Sequence, residues 1–341
     1  MNGACTYHDV VVTAANESQA AAYRAELDER KRLGRLAAGT AFHVMADPGG
    51  RRVGSGAATL VVIERLAKLY RTTPAKLATK RRVLILHSGG DSRRLPAYAA
   101  SGKLFVPLPR TDERGRDVSL FDLLLADLST PELGRPGRVV VAAGDVYVSL
   151  ASRRLALDGA DVVGVALRRN AAAGTRHGVY VAGPSGHVAD FLQKPSIDEA
   201  KRAGAVDADG KVLLDSGVVA LSARAVGELT HAARMGGRAS LLANVLRGEL
   251  GQFDFYEHVL IAAYTAQSPR SYADGLAQAG SKLHAGLQAF KELLRRSRRA
   301  WPWRSRAASH TSAPRVSCST ALARSSGNSR ASTSASCSTR R

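Results

Sequence analysis

At 341 residues and 45% apolar side chains, the chain can bury one large core and carry an appendage, but it lacks the run of about 18 apolar residues that a membrane span needs. It holds 49 Lys and Arg against 29 Asp and Glu, a formal charge of +20. Residues 291–341 contribute +11 of that, with twelve basic groups and one acid, Glu292, so the charge does not make the rest of the chain a nucleic-acid binder. Cys5, Cys318 and Cys337 sit at the two extremes, without metal spacing and without the pattern of a disulfide scaffold. The opening MNGACTYHD lacks a signal pattern, and a cytoplasmic setting is expected.

In chain order, Asp9 to Thr13 is a short β-rich run. Asn16 can cap the next helix, with Gln19 three residues on as its partner. Ala20, Tyr23 and Leu27 recur on one face of it, and Gly34 can end it. Asp47-Pro48-Gly49-Gly50 signals a turn. Gly54-Ser55-Gly56 opens a second helix running to about Tyr70, with Leu60, Ile63, Ala67 and Tyr70 on one face. Such an opening is either a phosphate nest or a tight loop. Val83 to Leu86 is the first central strand, Leu120 to Asp127 a helix, and Arg138 to Ala143 a buried strand ending at Gly144-Asp145. Asp161 to Leu167 is a third strand. Gly178 to Val181 and His187 to Leu192 form a hairpin around Gly183-Pro184-Ser185-Gly186. Ile197 to Ala203 is helical. Val212 to Leu221 is a strand interrupted by Asp215-Ser216-Gly217, and helices follow over Ala223 to Ala232 and Asp254 to Tyr264, the latter with Phe255, Val259 and Ala262 on one face. This alternation predicts an α/β fold with a mixed, mainly parallel sheet flanked by helices.

The densest signal is Arg81 to Pro109, where the strand Val83–Leu86 runs into Ser88-Gly89-Gly90-Asp91-Ser92-Arg93-Arg94, then Leu95-Pro96 and Lys103. Open α/β sheets bind ligands at the carboxyl ends of their strands. A glycine pair lets backbone N–H groups close on phosphate oxygens, and Arg93, Arg94 and Lys103 can neutralise a triphosphate. A Walker A loop is excluded because Leu104 follows Gly102-Lys103, and the Gly-x-Gly-x-x-Gly dinucleotide pattern is absent. Taken singly, each piece has a plainer reading: a turn for Gly89-Gly90, a solvated helix start for the arginines, a surface lysine for Lys103, a turn residue for Asp145. Two arginines at a helix amino terminus oppose its dipole, and an anionic ligand would remove the conflict.

This segment resembles the loop of sugar-1-phosphate nucleotidyltransferases. HSGGDSRRLPAYAASGKLF is similar to the guanylyltransferase region of the L-fucokinase/GDP-fucose pyrophosphorylase family. The resemblance takes in Val11–Tyr23, Asp47–Leu60, Ala143-Gly144-Asp145, Gln193-Lys194-Pro195 and Leu214-Asp215-Ser216-Gly217, and covers about residues 8 to 265. It implies a Rossmann-like, GT-A-like nucleotidyltransferase fold that transfers a guanylyl group from GTP to L-fucose 1-phosphate with Mg²⁺. By the same resemblance Ser88, Gly89, Gly90, Ser92 and Arg93 hold the nucleotide, and Arg94, Lys103 and Lys194 serve as catalytic cations. Asp145 holds the metal, Asp215 meets a sugar hydroxyl or the metal, and Gly217 meets the sugar. Gln193 departs from the superfamily's Glu-Lys-Pro, which removes support for a sugar-hydroxyl role there. Longer members add a sugar kinase; its Gly/Ser-rich phosphate loop is missing from this sequence, as is the family's β-helical middle segment.

The expected organisation is a nucleotidyltransferase domain over 1–265, a helical remnant over 266–300 and a disordered basic Ser/Arg tail over 301–341. The tail has no apolar periodicity and reads as a shifted frame of a GC-rich gene, which the genomic sequence past those codons would decide. The rival readings are an inactive truncated nucleotide-binding fragment, a nucleotidyltransferase for another sugar 1-phosphate and, last, a nucleic-acid binder. The tail has only Trp301 and Trp303 for base stacking. The sequence assigns no guanine-reading residue and no oligomeric state.

Overall fold

The computed structural model describes residues 6–88, 102–149, 155, 157, 159–183, 187–264, 283–300 and 305–310. The chain begins with β1 (Asp9–Ala14), α1 (Glu17–Arg32) and β2 (Ala41–Ala46), then α2 (Ser55–Leu69), α3 (Pro74–Lys80) and β3 (Val83–His87). A small hairpin, β4 (Pro107–Thr111) with β5 (Asp117–Ser119), leads into α4 (Leu120–Leu128) and β6 (Arg138–Ala143). Next come β7 (Val162–Asn170), α5 (Ala171–Gly174), β8 (Gly178–Ala182), β9 (Val188–Gln193) and α6 (Ile197–Arg202). β10 (Lys211–Ser222), α7 (Ala223–Arg234), α8 (Leu241–Arg247), α9 (Leu260–Tyr264), α10 (His284–Ala300) and β11 (Ser305–His310) complete it. Among the described residues no helix is long and apolar enough to cross a membrane.

A period of two fixes the layers. In β3, Val83 and Ile85 face the core under α2, α3 and α7, while Leu84 and Leu86 face the core under α1 and α4. β6 repeats this with Val139 and Val141 against Val140 and Ala142. A strand apolar on both faces needs cover on both, so helices flank the sheet on either side. Its order is β11-β7-β10-β6-β3-β1-β2, with β8 on β10 and β9 on β8. Following the pairings, β9 and β10 run against the other seven of the nine strands. The sheet is therefore mixed and mainly parallel, as the sequence predicts. Asn16 caps α1 as expected: its Oδ1 accepts from Gln19 N at 2.9 Å, and Gln19 Oε1 accepts from Ala15 N at 2.8 Å.

Three expectations are corrected. Asp254 to Tyr264 is not one amphipathic helix; a π-helical turn at Phe255–Val259 precedes α9, with Asp254 as its cap. The core does not stop at residue 265, because Leu287, Phe290 and Leu294 of α10 are buried in the same cluster as α7 and α8. Nor is everything past 301 without regular structure: Ser305–His310 pairs in parallel with β7. An open strand edge offers a row of N–H and C=O groups that templates pairing, so this segment needs no apolar periodicity of its own.

A buried ion network fastens the edge of the sheet opposite the strand carboxyl ends. The Asp9 carboxylate, fully buried at the start of β1, accepts from Tyr70 Oη at 2.6 Å and lies 3.0 Å from His43 Nε2. Arg81 closes the group, with Nε 2.5 Å from Asp9 Oδ2 and its guanidinium 3.9 Å from the Tyr70 ring centroid. Burial pushes the Asp9 carboxyl up, but the bonds from His43, Arg81 and Tyr70 outweigh it and hold the pKa below its ordinary value. The network's contribution is then complete above about pH 4 and disappears as pH falls through the lower folded value. Asp9→Ala should cost about 3–5 kcal/mol at pH 7 by leaving Arg81 unpaired. Urea denaturation at pH 7 and again at pH 3 checks this, with the gap between variant and wild type shrinking at the lower pH.

Candidate functional site

Every sequence-predicted site residue that the structure describes lies at or near the carboxyl ends of β3, β6 and β9 or at the bulge of β10. Gly89, Gly90, Ser92, Arg93 and Arg94 fall outside the described residues, but both flanks of that loop are in place. Tyr23, fully buried on α1, donates to Ser88 O at 3.1 Å with Ser88 Oγ at 3.0 Å. Its ring also lies against Gly102, where an added Cβ would stand 2.1 Å from Tyr23 Oη. One side chain therefore holds the residue that enters the loop and the residue that leaves it.

Lys103 follows directly and is exposed, while Leu104 and Phe105 are buried. That segment is anchored from two sides. Phe121 N donates to Leu104 O at 2.8 Å. Arg30 grips Asp122 with two bonds, at 3.1 and 3.2 Å, and its guanidinium sits 5.0 Å from the Phe105 ring centroid. Lys103 is thus an exposed cation on an anchored base.

Asp145 follows β6 through Gly144. Gly144 N donates to His87 O at 2.8 Å, and a Cβ on Gly144 would meet that same oxygen at 2.7 Å. Asp145 is exposed and makes no hydrogen bond among the described residues. On the other side of the site, β10 carries a bulge between Asp215 and Val218. Before it, β10 pairs with β8; after it, with β6. Asp215 Oδ1 accepts from Tyr180 Oη at 2.8 Å and from Gly217 N at 3.2 Å, and burial pushes its carboxyl up to about 6. Its Oδ2 accepts no hydrogen bond among the described residues. Tyr256, from the π-helical turn, donates to Gly217 O at 2.7 Å. Burial, then the charges of Asp215, Asp254 and Asp145, push the Tyr256 phenol well above its ordinary value. Lys194, after β9, is exposed and has φ +49°. A non-glycine residue in the left-handed region carries strain of the kind found at functional sites. Beside it, Gln193 Oε1 is buried without a hydrogen-bond partner.

A hydrogen-bond relay that the sequence does not reveal forms one wall of the site. Ser88 N donates to Thr13 Oγ1 at 3.4 Å. His87 lies between Thr13 Oγ1, 3.2 Å from Nδ1, and Thr59 Oγ1, 2.7 Å from Nε2. Thr59 gives its own proton to Ser55 O at 2.9 Å, so it accepts from His87, and the proton belongs on Nε2. Ser55 Oγ donates to Asp254 Oδ2 at 2.9 Å. Burial pushes the imidazole down to about 4, the Asp254 charge opposing only in part, so His87 is neutral at pH 7. Thr13, Ser55, His87 and Asp254 line a cleft of about 140 Å³, together with Asp47, Arg52 and Gln252.

The alternatives at Gly54-Ser55-Gly56 are now decided. A Cβ on Gly54 would stand 2.5 Å from Phe253 O, and one on Gly56 2.8 Å from it. Ala57 N donates to Phe253 O at 3.0 Å. The glycines admit a crossing backbone, and the start of α2 is a tight loop packed against Phe253.

Among the described residues no group of three or more His, Cys, Asp or Glu side chains can hold a metal ion. Of the described candidate site residues, Asp145 offers an exposed carboxylate. This donor set fits Mg²⁺, which takes one or two carboxylates and completes its shell with phosphate oxygens and water.

The family model for the fucose pyrophosphorylase domain matches residues 75–299. The bifunctional fucokinase/GDP-fucose pyrophosphorylase of Arabidopsis thaliana is 32% identical over 289 residues, covering 75% of this chain and 27% of that protein. The fucose-1-phosphate guanylyltransferase of Mus musculus is 34% identical over 209 residues, covering 58% of this chain and 34% of that protein. The chain thus spans about a third or less of these relatives' length. A solved structure of HddC from Yersinia pseudotuberculosis, complexed with GMP-PN, aligns over 74% of this chain and 85% of that one, with 11% identity and a TM-score of 0.31.

Gly102→Ala should cost about 2–4 kcal/mol, because it adds overpacking against Tyr23 to a backbone at φ +59°. Gly115→Ala, at φ +72° with open space around it, should cost only about 1–2 kcal/mol. Parallel urea titrations of the two variants check the difference.

Proposed function

The chain belongs to the fucose pyrophosphorylase domain family, and on that premise we propose that it transfers a guanylyl group from GTP to L-fucose 1-phosphate, releasing pyrophosphate. The observation that carries the reading is the family match, whose span includes Ser88, Lys103, Asp145, Lys194 and Asp215. The relatives named as guanylyltransferases supply the base and the sugar.

In this reaction a phosphate oxygen of the sugar 1-phosphate attacks the α-phosphorus of GTP, and the bond to the pyrophosphate oxygen breaks. The nucleophile is already an anion, so no serine, cysteine or strong general base is required. The chain's task is to position two anions and to offset their charge. Gly89 and Gly90 close on the phosphates through their N–H groups, assisted by Ser88, Ser92 and Arg93. Arg94 pairs with the departing pyrophosphate. Lys103 reaches the α-phosphate from its anchored segment. Lys194 meets the phosphate of the sugar. Asp215, through its uncommitted Oδ2, and the bulge at Gly217 meet the sugar hydroxyls. Asp145 would hold Mg²⁺, which when bound draws charge from the phosphate oxygens. The cytoplasm, which supplies nucleoside triphosphates, is the compartment this chemistry asks for.

Pyrophosphate release from GTP, L-fucose 1-phosphate and Mg²⁺ tests the reading. Release should require the sugar phosphate. Lys103→Ala should lower kcat/KM by about a hundredfold to a thousandfold with the unfolding midpoint unchanged, since Lys103 is exposed. A folded wild-type chain that releases nothing would sink the proposal.

A further inference from the structure

The relay accounts for most of the polar side chains in the cleft. Thr13, Ser55, His87 and Asp254 all line it, and each is engaged within the chain. Asp254 Oδ2 accepts from Ser55 and its Oδ1 accepts from Tyr256 N and Glu257 N. Asp47 stands apart. Its carboxylate accepts one hydrogen bond among the described residues, a long one of 3.4 Å from Val53 N to Oδ2. Burial pushes the carboxyl up to about 6, against the opposing pull of Val53 N and of the Arg52 and Arg65 charges. A half-buried carboxylate with unused acceptor capacity is costly to keep. A ligand that brings donors removes that cost.

Two facts restrict the ligand. The cleft lies at the carboxyl ends of β1 and β3, and His87 in its wall is followed at once by Ser88 and the nucleotide loop. On the guanylyl-transfer reading, a group in the cleft lies beside His87 and Ser88, where the segment proposed to take the phosphates begins. The acceptor is also a carboxylate with two oxygens, and it matches an edge that presents two neighbouring N–H donors. Guanine has such an edge, with N1–H beside the N2 amino group. Adenine puts the N1 lone pair there, and cytosine puts N3 beside its amino group; either would face the carboxylate with like charge. Uracil has one N–H between two carbonyls.

We propose that Asp47 is the residue that selects guanine, its two oxygens accepting from N1–H and N2–H of the base. Gln252, exposed at the rim of the same cleft, carries an amide that can donate to O6. This assignment rests on the guanylyl-transfer reading for the identity of the substrate. Its own content is a contact, which binding alone can test.

The experiment is equilibrium binding of GTP and of xanthosine triphosphate to the full chain and to Asp47→Asn. Xanthine replaces the N2 amino group by a carbonyl, and an asparagine amide can donate to that carbonyl where a carboxylate cannot. Wild type should prefer GTP. Asp47→Asn should weaken GTP by about one to two orders of magnitude, strengthen xanthosine triphosphate and reverse the order. Asp254→Asn disturbs the relay and should weaken both nucleotides without reversing them. A reversed preference establishes the contact even if no pyrophosphate is released in turnover, in which case the reaction reading alone fails. An unchanged GTP preference in Asp47→Asn, an equal loss of both nucleotides from the folded variant, or no nucleotide binding by wild type overturns the assignment.

Discussion

Strand β10 cannot pair with β6 and with β8 along the same stretch, and the bulge at Ser216-Gly217 resolves the conflict. Residues before the bulge serve the β8–β9 hairpin, and residues after it serve the parallel half of the sheet. The change of partner turns one continuous ladder into two regions with a seam between them. Asp145 approaches that seam from β6, Lys194 from the end of β9, and Asp215 sits in the seam itself. Gly217, at φ +73°, makes the turn, and its carbonyl is caught by Tyr256. A β-bulge re-aims side chains and ends pairing, and here it separates the part of the site built on β6 from the part built on the β8–β9 hairpin.

The carboxylates of the chain separate by what surrounds them. Asp9 is buried amid donors, so its pKa falls and it acts as a fastener. Asp215 and Asp47 are enclosed with few donors, so both rise to about 6. Asp145 is open to solvent. Residues of one chemical type thus become a structural tie, two poised acceptors and a candidate metal ligand. Burial penalises the charged form and hydrogen bonds restore it, and the balance differs from place to place. The π-helical turn at Phe255–Val259 matters for the same reason. Its cap, Asp254, terminates the relay from His87, while its Tyr256 grips the bulge, so both sides of the site depend on one short segment.

Much of the fold is legible in the sequence because its signals are local. The apolar runs of β3 and β6 announce buried strands, Asn16 announces a cap, and Asp215-Ser216-Gly217 announces a break in β10. β2 is less legible: Ala41–Ala46 includes His43 and is mostly half-buried, so its apolar pattern is weak. The π-helical turn hides because Phe255, Val259 and Ala262 satisfy helical spacing either way. β11 has no local signal at all and exists by pairing with β7. The relay is invisible for another reason. Thr13, the Ser55–Thr59 turn, His87 and Asp254 lie far apart along the chain, and the β1–β3 register is what sets Thr13 beside His87. Asp47 was legible as a turn residue, since Asp-Pro-Gly-Gly is a turn sequence, but its place in a cleft depends on α2 folding back over the end of β1.

Tyr23 fixes both Ser88 and Gly102, and thirteen residues lie between them. The free energy of closing a chain segment grows only with the logarithm of its length. Once both ends are pinned by one phenol, adding or removing a residue or two changes that cost by a few tenths of a kcal/mol. The register of β3 and the position of Lys103 are set outside the span and need not change. The span between Ser88 and Gly102 therefore tolerates a change of length, while its two anchors on Tyr23 stay the same.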